Sequence, residues 1–240
     1  MAIGPERKYM TPSQAEAAQI DVGLRNYMLG IYNYMALGVA FTGALALLVA
    51  MNPPIMQAVA LGPLKWVLFI GIIGMGFVAP RIMMSGSSVA AQACFWIYAG
   101  MWGALMAPMF HIYTGDSMVR VFFITAGAFA GMSLLGYTTK KDLTAIGGFL
   151  AMSTIGILIA LLVNMFLLQS TGFHFVLSIV VVLVFAGLTA YETQVIKNMY
   201  YEGDTADEAK RKSIFGAFML YGSFVTMFIW LLQIFGVARE

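Results

Sequence analysis

Charged side chains are scarce in this chain. Only 10% of its 240 residues are Asp, Glu, Lys or Arg and 61% are hydrophobic, whereas soluble domains average about 25% charged residues. The net charge of +2 is too small to attract a polyanion, so we expect no nucleic-acid partner. Cys94 is the single cysteine, which excludes an internal disulfide. No cleavable signal peptide is recognisable, because the first apolar run is too long for one.

Long apolar runs fill most of the remaining sequence. A helix that crosses a bilayer needs about 20 apolar residues, and the runs do not alternate polar with apolar residues as the strands of a membrane barrel would. The sequence therefore predicts an all-α integral membrane protein, a seven-transmembrane-helix bundle in one domain, 25–240, after an N-terminal tail, 1–24. The predicted spans are 28–51, 64–80, 88–111, 117–137, 144–168, 173–196 and 214–236.

The basic residues between the runs predict the orientation, because cytoplasmic loops are enriched in Lys and Arg. With the N-terminus inside and the C-terminus outside, ten of the thirteen basic residues are cytoplasmic, and 198–212 becomes a solvated cytoplasmic connector. We expect a multi-pass protein of a bacterial inner membrane, in contact with the lipid bilayer. The ten are Arg7, Lys8, Arg25, Arg81, Lys140, Lys141, Lys197, Lys210, Arg211 and Lys212.

One acid interrupts the end of the sixth run. Glu192 lies in AYETQVIKNMY, 190–200, about five residues or 7.5 Å from the predicted membrane edge. A charge at the bilayer centre costs about 2.5–3.5 kcal/mol, so such a group normally faces the bundle interior and has a partner. Side chains on a helix meet at spacings of three or four residues. None of the neighbours at those spacings is cationic: Leu188, Thr189, Val195 and Ile196.

The partner of Glu192 is therefore expected on another helix at the same depth. Arg81 ends the second run, which crosses the membrane in the same direction, and an Arg can bind a carboxylate through two parallel hydrogen bonds. We predict an Arg81–Glu192 latch that closes the cytoplasmic end of the bundle and opens when Glu192 is protonated. The alternative is that Arg81 only anchors its helix at the headgroups.

Two further patterns concern helix packing. Small residues let membrane helices approach closely, and they recur in three runs, as Ala99, Gly103 and Ala107, as Gly127 and Gly131, and as GIIGMG at 71–76. The seventh run carries a polar stripe at spacings of three and four. We expect this stripe to face protein or water, either along an ion path or in hydrogen bonds between helices. It consists of Ser223, Thr226, Trp230 and Gln233.

Three segments are similar to motifs of the transmembrane Bax inhibitor motif family, also called the Bax inhibitor-1 family. They are AYETQVIKNMY, the APR at 79–81 and LYGSFVTMFIWLLQIFG in the last run, and the resemblance covers 25–236. It implies a seven-span membrane protein linked to calcium leak across membranes and, in eukaryotes, to the suppression of cell death. Bacterial relatives are implied to be calcium-leak channels or modulators of a membrane-bound protease.

The resemblance also implies a site made of two carboxylates, one late in the sixth span and one in the seventh. The first corresponds to Glu192. The second belongs to an L-Y-x-D-F-x-N pattern that here reads LYGSFVT, so Ser223 stands in place of the acid and Thr226 in place of Asn. Calcium takes about six to eight oxygen ligands. We therefore expect only a weak calcium site at Glu192, with Ser223 and Thr226 beside the ion path.

Two functions remain open. The first is a pH-sensitive cation leak channel gated by the Arg81–Glu192 latch, with calcium as the permeant ion. The second is a non-conducting regulator that binds a membrane protease or a stress-response partner. No cofactor is expected. An enzyme is not expected either, since His111 and His174 are predicted on the side of the membrane opposite Ser133, and a serine nucleophile needs a base within hydrogen-bond reach.

Overall fold

The computed structural model describes the backbone of residues 12–239 and the side chains of residues 22–239. Seven helical stretches in this part of the chain are long and apolar enough to cross a membrane, which confirms the predicted architecture. The helix α7 ends in a π-helical turn, Asn164–Leu168. The helices are α1 (Pro12–Ala50), α2 (Pro53–Ala60), α3 (Leu64–Ser85), α4 (Ser88–Met106), α5 (Met109–Ile112), α6 (Gly115–Thr138), α7 (Thr144–Val163), α8 (Thr171–Asn198) and α9 (Ala206–Phe235).

The second span is longer than the sequence predicts. We expected it to stop at Pro80, but α3 continues to Ser85. A proline inside a membrane helix is tolerated when its surroundings satisfy the freed backbone group. Ala79 and Met83, on either side of the proline, are fully buried, so the continued helix is held by its packing.

The ends of two other segments also differ from the prediction. The connector 198–212 is shorter, because α9 begins at Ala206 behind a capping box in which Thr205 and Glu208 bind each other's backbone N–H. In the predicted N-terminal tail, α1 already begins at Pro12, and residues 1–11 lie outside the described part of the chain.

Helix α9 lies at the centre of the bundle. It packs against α1, α3, α4, α6 and α8, and 72% of its most apolar window is buried, compared with 33% or less for every other span. At its middle the Tyr221 hydroxyl meets Thr42 of α1 at 2.6 Å, and Thr42 donates to the carbonyl of Ala99 in α4 at 3.0 Å. A hydroxyl has one proton, so Tyr221 is the donor to Thr42, and three helices are joined in the core.

The small-residue patterns are confirmed in α4 and wrong in α6. A Cβ on Gly103 would lie 2.9 Å from the Thr42 carbonyl, so α4 and α1 do approach closely there. Gly127 and Gly131 are exposed, with open space where a Cβ would stand. In GIIGMG only Gly71 is crowded, by the side chain of Met101.

The two ends of the bundle differ in the number of basic residues that they carry in the described part of the chain. We call the end that holds Arg81 and the loops 139–143 and 199–205 the basic end, and the end that holds the loops 51–63 and 164–170 the opposite end. At the opposite end, the residues after α9 form a short bridge to the residues before α6, through Thr114 N–H to Val237 O and Arg239 N–H to Ile112 O, each at 2.9 Å. Which end faces the cytoplasm stays a prediction.

Candidate functional site around Glu192

The last two turns of α8 bring the polar residues of YETQVIK into contact with several neighbouring elements. Helix α8 packs against α6, α7 and α9. Successive residues on a helix point in directions about 100° apart, so a run of polar residues reaches different neighbours. A segment that the sequence marks by one acid is therefore a junction of several helices.

Glu192 is bound by the central helix. The Ser223 hydroxyl of α9 donates to Glu192 Oε2 at 2.7 Å, and Ser223 is only 2% exposed. Glu192 as a whole residue is partly buried. The prediction that Glu192 faces the interior beside Ser223 thus agrees with the geometry, although its partner is a hydroxyl and not a cation.

Thr193 continues the polar contacts into α6 and α1. Its hydroxyl donates to the Thr189 carbonyl at 2.7 Å and lies 2.9 Å from Ser133, which in turn lies 2.6 Å from the Tyr32 hydroxyl. Because each hydroxyl has a single proton, the chain has one direction, from Tyr32 to Ser133 to Thr193 to Thr189. Ser133 and Thr193 are buried, and neither retains a free donor.

Gln194 and Lys197 fasten the loop between α6 and α7. The Gln194 amide accepts from the Leu143 N–H and donates to the Lys141 carbonyl, both at 2.8 Å. Lys197 donates to the Tyr137 carbonyl at 2.9 Å. Tyr137 belongs to the last turn of α6, where carbonyls have no partner within the helix. The two side chains hold this loop against α8.

Two glycines allow α8 to sit this close to its neighbours. A Cβ on Gly136 of α6 would collide with the backbone of Ala190, and a Cβ on Gly147 of α7 would collide with the ring of Tyr191. Glycine is the residue that permits such close approach of helices in a membrane. Both contacts lie directly before Glu192 in α8, so α6 and α7 help to fix its position along the helix.

The predicted Arg81–Glu192 ion pair is wrong. Arg81 is exposed, and among the side chains of residues 22–239 no nitrogen of Lys, Arg or His lies within ion-pairing distance of Glu192. The reason is the position of α9, which packs against both α3 and α8 while those two helices hardly touch. The sequence does not show which helix is central, so it could not show that α9 separates these residues.

Other residues close the basic end. Arg211 of α9 donates to the Met84 carbonyl at the end of α3 and pairs with Asp207 at 3.0 Å. Asp207 in turn accepts from the Ser88 N–H at 3.3 Å. Lys212 pairs with Asp204 at 2.6 Å. The first turns of α9 thus clamp the α3–α4 turn, in the region that the sequence predicted to be a solvated connector.

The polar stripe of α9 faces protein, as predicted. Ser223 binds Glu192, Gln233 binds His174 Nε2 at 2.7 Å, and the ring of Trp230 lies 5.4 Å from that of His174. Thr226 is partly buried between them. Two of the four residues therefore make hydrogen bonds to α8. This agrees with the alternative in which the stripe joins helices by hydrogen bonds.

The outer part of the stripe borders a wide cavity. A space of about 840 Å³ opens between α3 and α7 at the opposite end. Its wall includes Trp230 and Gln233 of the stripe, Lys65 of α3 and Asn164 of the π-helical turn. His111 lies elsewhere, with Nε2 at 3.1 Å from the Ala50 carbonyl, so the two histidines have separate contacts.

A resident metal centre is not assembled at Glu192. No group of three or more His, Cys, Asp or Glu side chains comes together in the described part of the chain. Glu192 with Ser223 supplies fewer oxygen atoms than the about six to eight that calcium takes. The weak calcium site at Glu192 stays a prediction.

Sequence reasoning missed the chain of hydroxyls from Tyr32 to Thr193. A signal for it exists in α6, where Thr125, Phe129 and Ser133 recur at four-residue spacing and are all buried. That spacing marks the face of α6 that meets the bundle. It does not reveal that Ser133 meets Thr193, which depends on the register between α6 and α8.

Comparisons with known proteins agree with this architecture. The family model described as "Inhibitor of apoptosis-promoting Bax1" matches residues 24–240. The protein RP147 of Rickettsia prowazekii is 39% identical over 92% of this chain and 93% of its own length. A protein of Caulobacter vibrioides is 38% identical over 95% of both chains. "Inner membrane protein YbhL" of Escherichia coli K12 is 36% identical over 95% of this chain and 98% of its own length.

Proposed function

The chain belongs to the Bax inhibitor-1 family, and from this membership and the surroundings of Glu192 we propose that it is a pH-sensitive cation leak channel, with calcium as the permeant ion. It is a multi-pass protein of the bacterial inner membrane, and its helices contact the lipid bilayer. Within this proposal Glu192 is the proton-sensitive group. Ser223 holds it, and Thr226 lies beside the path.

The observation that carries the proposal is the hydrogen bond from Ser223 to Glu192. A carboxylate inside a membrane needs a partner, and in the described part of the chain this one has a hydroxyl and no cation within ion-pairing distance. A passing cation or a proton can therefore take the place that Arg81 was predicted to hold. This exchange couples proton and cation at one group.

The mechanism replaces the Arg81 latch with the contact between α8 and α9. Hydrogen bonds to an ionised acceptor are about twice as strong as neutral ones. Protonation of Glu192 weakens its bond to Ser223 and loosens the seam between the two helices at that depth. The clamp of Arg211 and Asp207 on the α3–α4 turn lies at the end of this seam. The leak is thus expected to rise as the pH falls.

The path runs along α9. From Ser223 to Gln233 the stripe spans ten residues, about 15 Å at 1.5 Å per residue. Its far end borders the cavity between α3 and α7. Because Ser223 and Trp230 are buried, the contacts of the stripe with α8 have to part before an ion can pass. While Glu192 is ionised, its carboxylate attracts cations and not anions to this point of the path.

The test is calcium flux through the purified protein in proteoliposomes, measured at several pH values. Glu192→Gln removes the titration and is expected to give a leak that no longer depends on pH. Ser223→Ala is expected to raise the leak at neutral pH. Arg81→Ala is the matched control and is expected to behave as the wild type. A Glu192→Gln protein that keeps the wild-type pH dependence would refute the role of this residue.

Flux from the wild-type protein also separates the two functions that the sequence left open. If it carries no calcium or other cation at any pH, the channel proposal fails. The remaining candidate is then the non-conducting regulator, and its test is the co-purification of a membrane protease with the intact protein.

A further inference from the structure

A lateral groove separates α1 and α6 at the basic end. Both helices pack against α9 but hardly against each other, and the space between them measures about 760 Å³, within the range of about 300–1,000 Å³ of small-molecule sites. Leu29 of α1 and Leu134 of α6 stand on its two sides and are 48% and 62% exposed. Since α1 and α6 are both membrane spans, the groove opens towards the acyl chains of one leaflet.

The deep wall of the groove can receive a hydrocarbon chain without cost to polar groups. It is formed by Met28 and Phe129, which are buried, and by the hydrogen-bonded pair of Tyr32 and Ser133. The protons of both hydroxyls are already donated, to Ser133 and to Thr193. An apolar chain that covers these hydroxyls leaves no donor without a partner, because both are already hydrogen-bonded. Covering hydroxyls that lack a partner would cost free energy.

The mouth of the groove carries positive charge. Arg25 of α1, which is exposed, and Tyr137 of α6 line it. Lys197 of α8 stands behind Tyr137, with its ammonium 5.0 Å from the ring centroid and bound to the Tyr137 carbonyl. Basic pockets between membrane helices on one side of the bilayer bind anionic headgroups. A tyrosine at the same level is typical of the headgroup region.

The loop that follows α6 carries two further basic residues at the same end of the bundle. Lys140 and Lys141 come directly after the last turn of α6. The acid of the same loop, Asp142, is bound to the first residue of α7, because its Oδ1 accepts from the N–H and the hydroxyl of Thr144 at 2.9 and 2.6 Å. These two hydrogen bonds lower the pKa of Asp142. Its carboxylate is thus committed to Thr144, and the lysines of the loop are not paired with it.

From these features we infer that the groove binds an anionic phospholipid of the leaflet at the basic end. The phosphate lies against Arg25, and one acyl chain lies between α1 and α6 beside Leu29, Ala130 and Leu134. A free phosphate would leave the apolar length of the groove unused, and a zwitterionic lipid would balance less of the charge at the mouth. The site does not depend on whether the protein conducts ions.

The experiment compares lipids on the purified full-length protein in detergent. Phosphatidylglycerol and phosphatidylcholine with identical acyl chains are titrated separately, with inorganic phosphate as a third probe, and binding is read by native mass spectrometry and by the shift of the melting temperature. The wild type is expected to bind phosphatidylglycerol at least fivefold more tightly than phosphatidylcholine. Arg25→Gln is expected to lower the ratio of the two affinities about fivefold. That factor is the contribution of one basic residue near a membrane surface.

Matched variants separate the groove from the rest of the surface. Ala130→Trp fills the groove and is expected to abolish the preference, whereas Ala128→Trp places the same side chain on an exposed face of α6 and is expected to preserve it. Arg81→Gln, an exposed arginine at the same end, is also expected to preserve it. Circular dichroism and the melting temperature without lipid establish that each variant is folded.

Three results would overturn the inference. Equal binding of the two lipids to the wild type would remove the role of the charge. An equal loss in Arg25→Gln and Arg81→Gln would mean unspecific attraction to a basic surface. A full shift with inorganic phosphate alone would mean an anion site that needs no acyl chain.

Discussion

The hydroxyl of Ser223 and the carboxylate of Glu192, 2.7 Å apart, join the central helix of the bundle to the helix that precedes it. This contact stands where the sequence led us to expect an arginine. Hydrogen bonds to charged groups contribute about 1.5–3 kcal/mol and neutral ones about 0.5–1.5 kcal/mol. The contact therefore differs in strength between the two protonation states of Glu192, and that difference can be measured.

A double-mutant cycle of Ser223→Ala and Glu192→Ala tests the contact, because each substitution removes one partner of the hydrogen bond. We expect a coupling free energy of about 1.5–3 kcal/mol where Glu192 is ionised, and less on acidification, because protonation removes the charge of the acceptor. The measurement is the free energy of unfolding of the four proteins in detergent. Thr226→Val, on the same helix face, is the control and should not couple to Glu192. Additive effects of the first pair would contradict the prediction.

The substitution Gln194→Leu should release the loop between α6 and α7. It removes both hydrogen bonds to Leu143 and Lys141, so the loop 139–143 is expected to become accessible to trypsin after its two lysines. The measurement is the rate of limited proteolysis of the detergent-solubilised protein. Gln233→Leu, which breaks a hydrogen bond at the opposite end, is the control and should leave that rate unchanged.

A methyl group at Gly136 should force α6 away from α8. Gly136→Ala is expected to destabilise the protein by about 1–3 kcal/mol, the usual cost of overpacking, because the Cβ would meet the backbone of Ala190. Gly131→Ala in the same helix meets open space and is expected to be neutral or to stabilise by up to about 1 kcal/mol. The measurement is the free energy of unfolding of the two variants. Equal values would contradict the close approach of α6 to α8 at Gly136.

Removal of Arg81 and removal of Arg211 should have different effects. Arg81 is exposed and outside the two ion pairs of the described side chains, so Arg81→Ala is expected to change stability by less than about 0.5 kcal/mol. Arg211→Ala breaks the contacts with Met84 and Asp207 and is expected to loosen the α3–α4 turn. Hydrogen exchange of residues 84–90 measures this. Faster exchange in Arg81→Ala than in Arg211→Ala would mean that Arg81, and not Arg211, holds the α3–α4 turn.

Much of this fold could be predicted from the sequence, because the length and hydropathy of a span are local properties. The seven spans and the inward-facing stripe of α9 were of this kind. The ends of α3 and α9 were not, since Pro80 is tolerated only where packing compensates and the capping box at Thr205 overrides a run of charged residues. The basic residues and the two acids at the start of α9, Asp207 and Glu208, were assigned to a loop for the same reason.

The candidate site was predictable in its residues but not in its contacts. AYETQVIK marked the segment that makes these contacts, and Ser223 lies beside Glu192 as the resemblance implied. The Arg81 pairing failed because depth in the membrane is a sequence property, whereas adjacency of helices is not. The hydrogen bonds of Thr193 and Gln194 depend on how α6 and the loop 139–143 lie against α8, which no spacing along the chain encodes.

The central position of α9 has a consequence for how the protein is made. The ribosome synthesises α9 after the other six spans. Until α9 is inserted, those six spans lie in the bilayer without the helix against which α1, α3, α4, α6 and α8 pack. Insertion of α9 is therefore expected to be the event that converts a loose set of hydrophobic segments into a folded protein. Quality-control proteases of the membrane would have their longest access to the chain in the interval just before it.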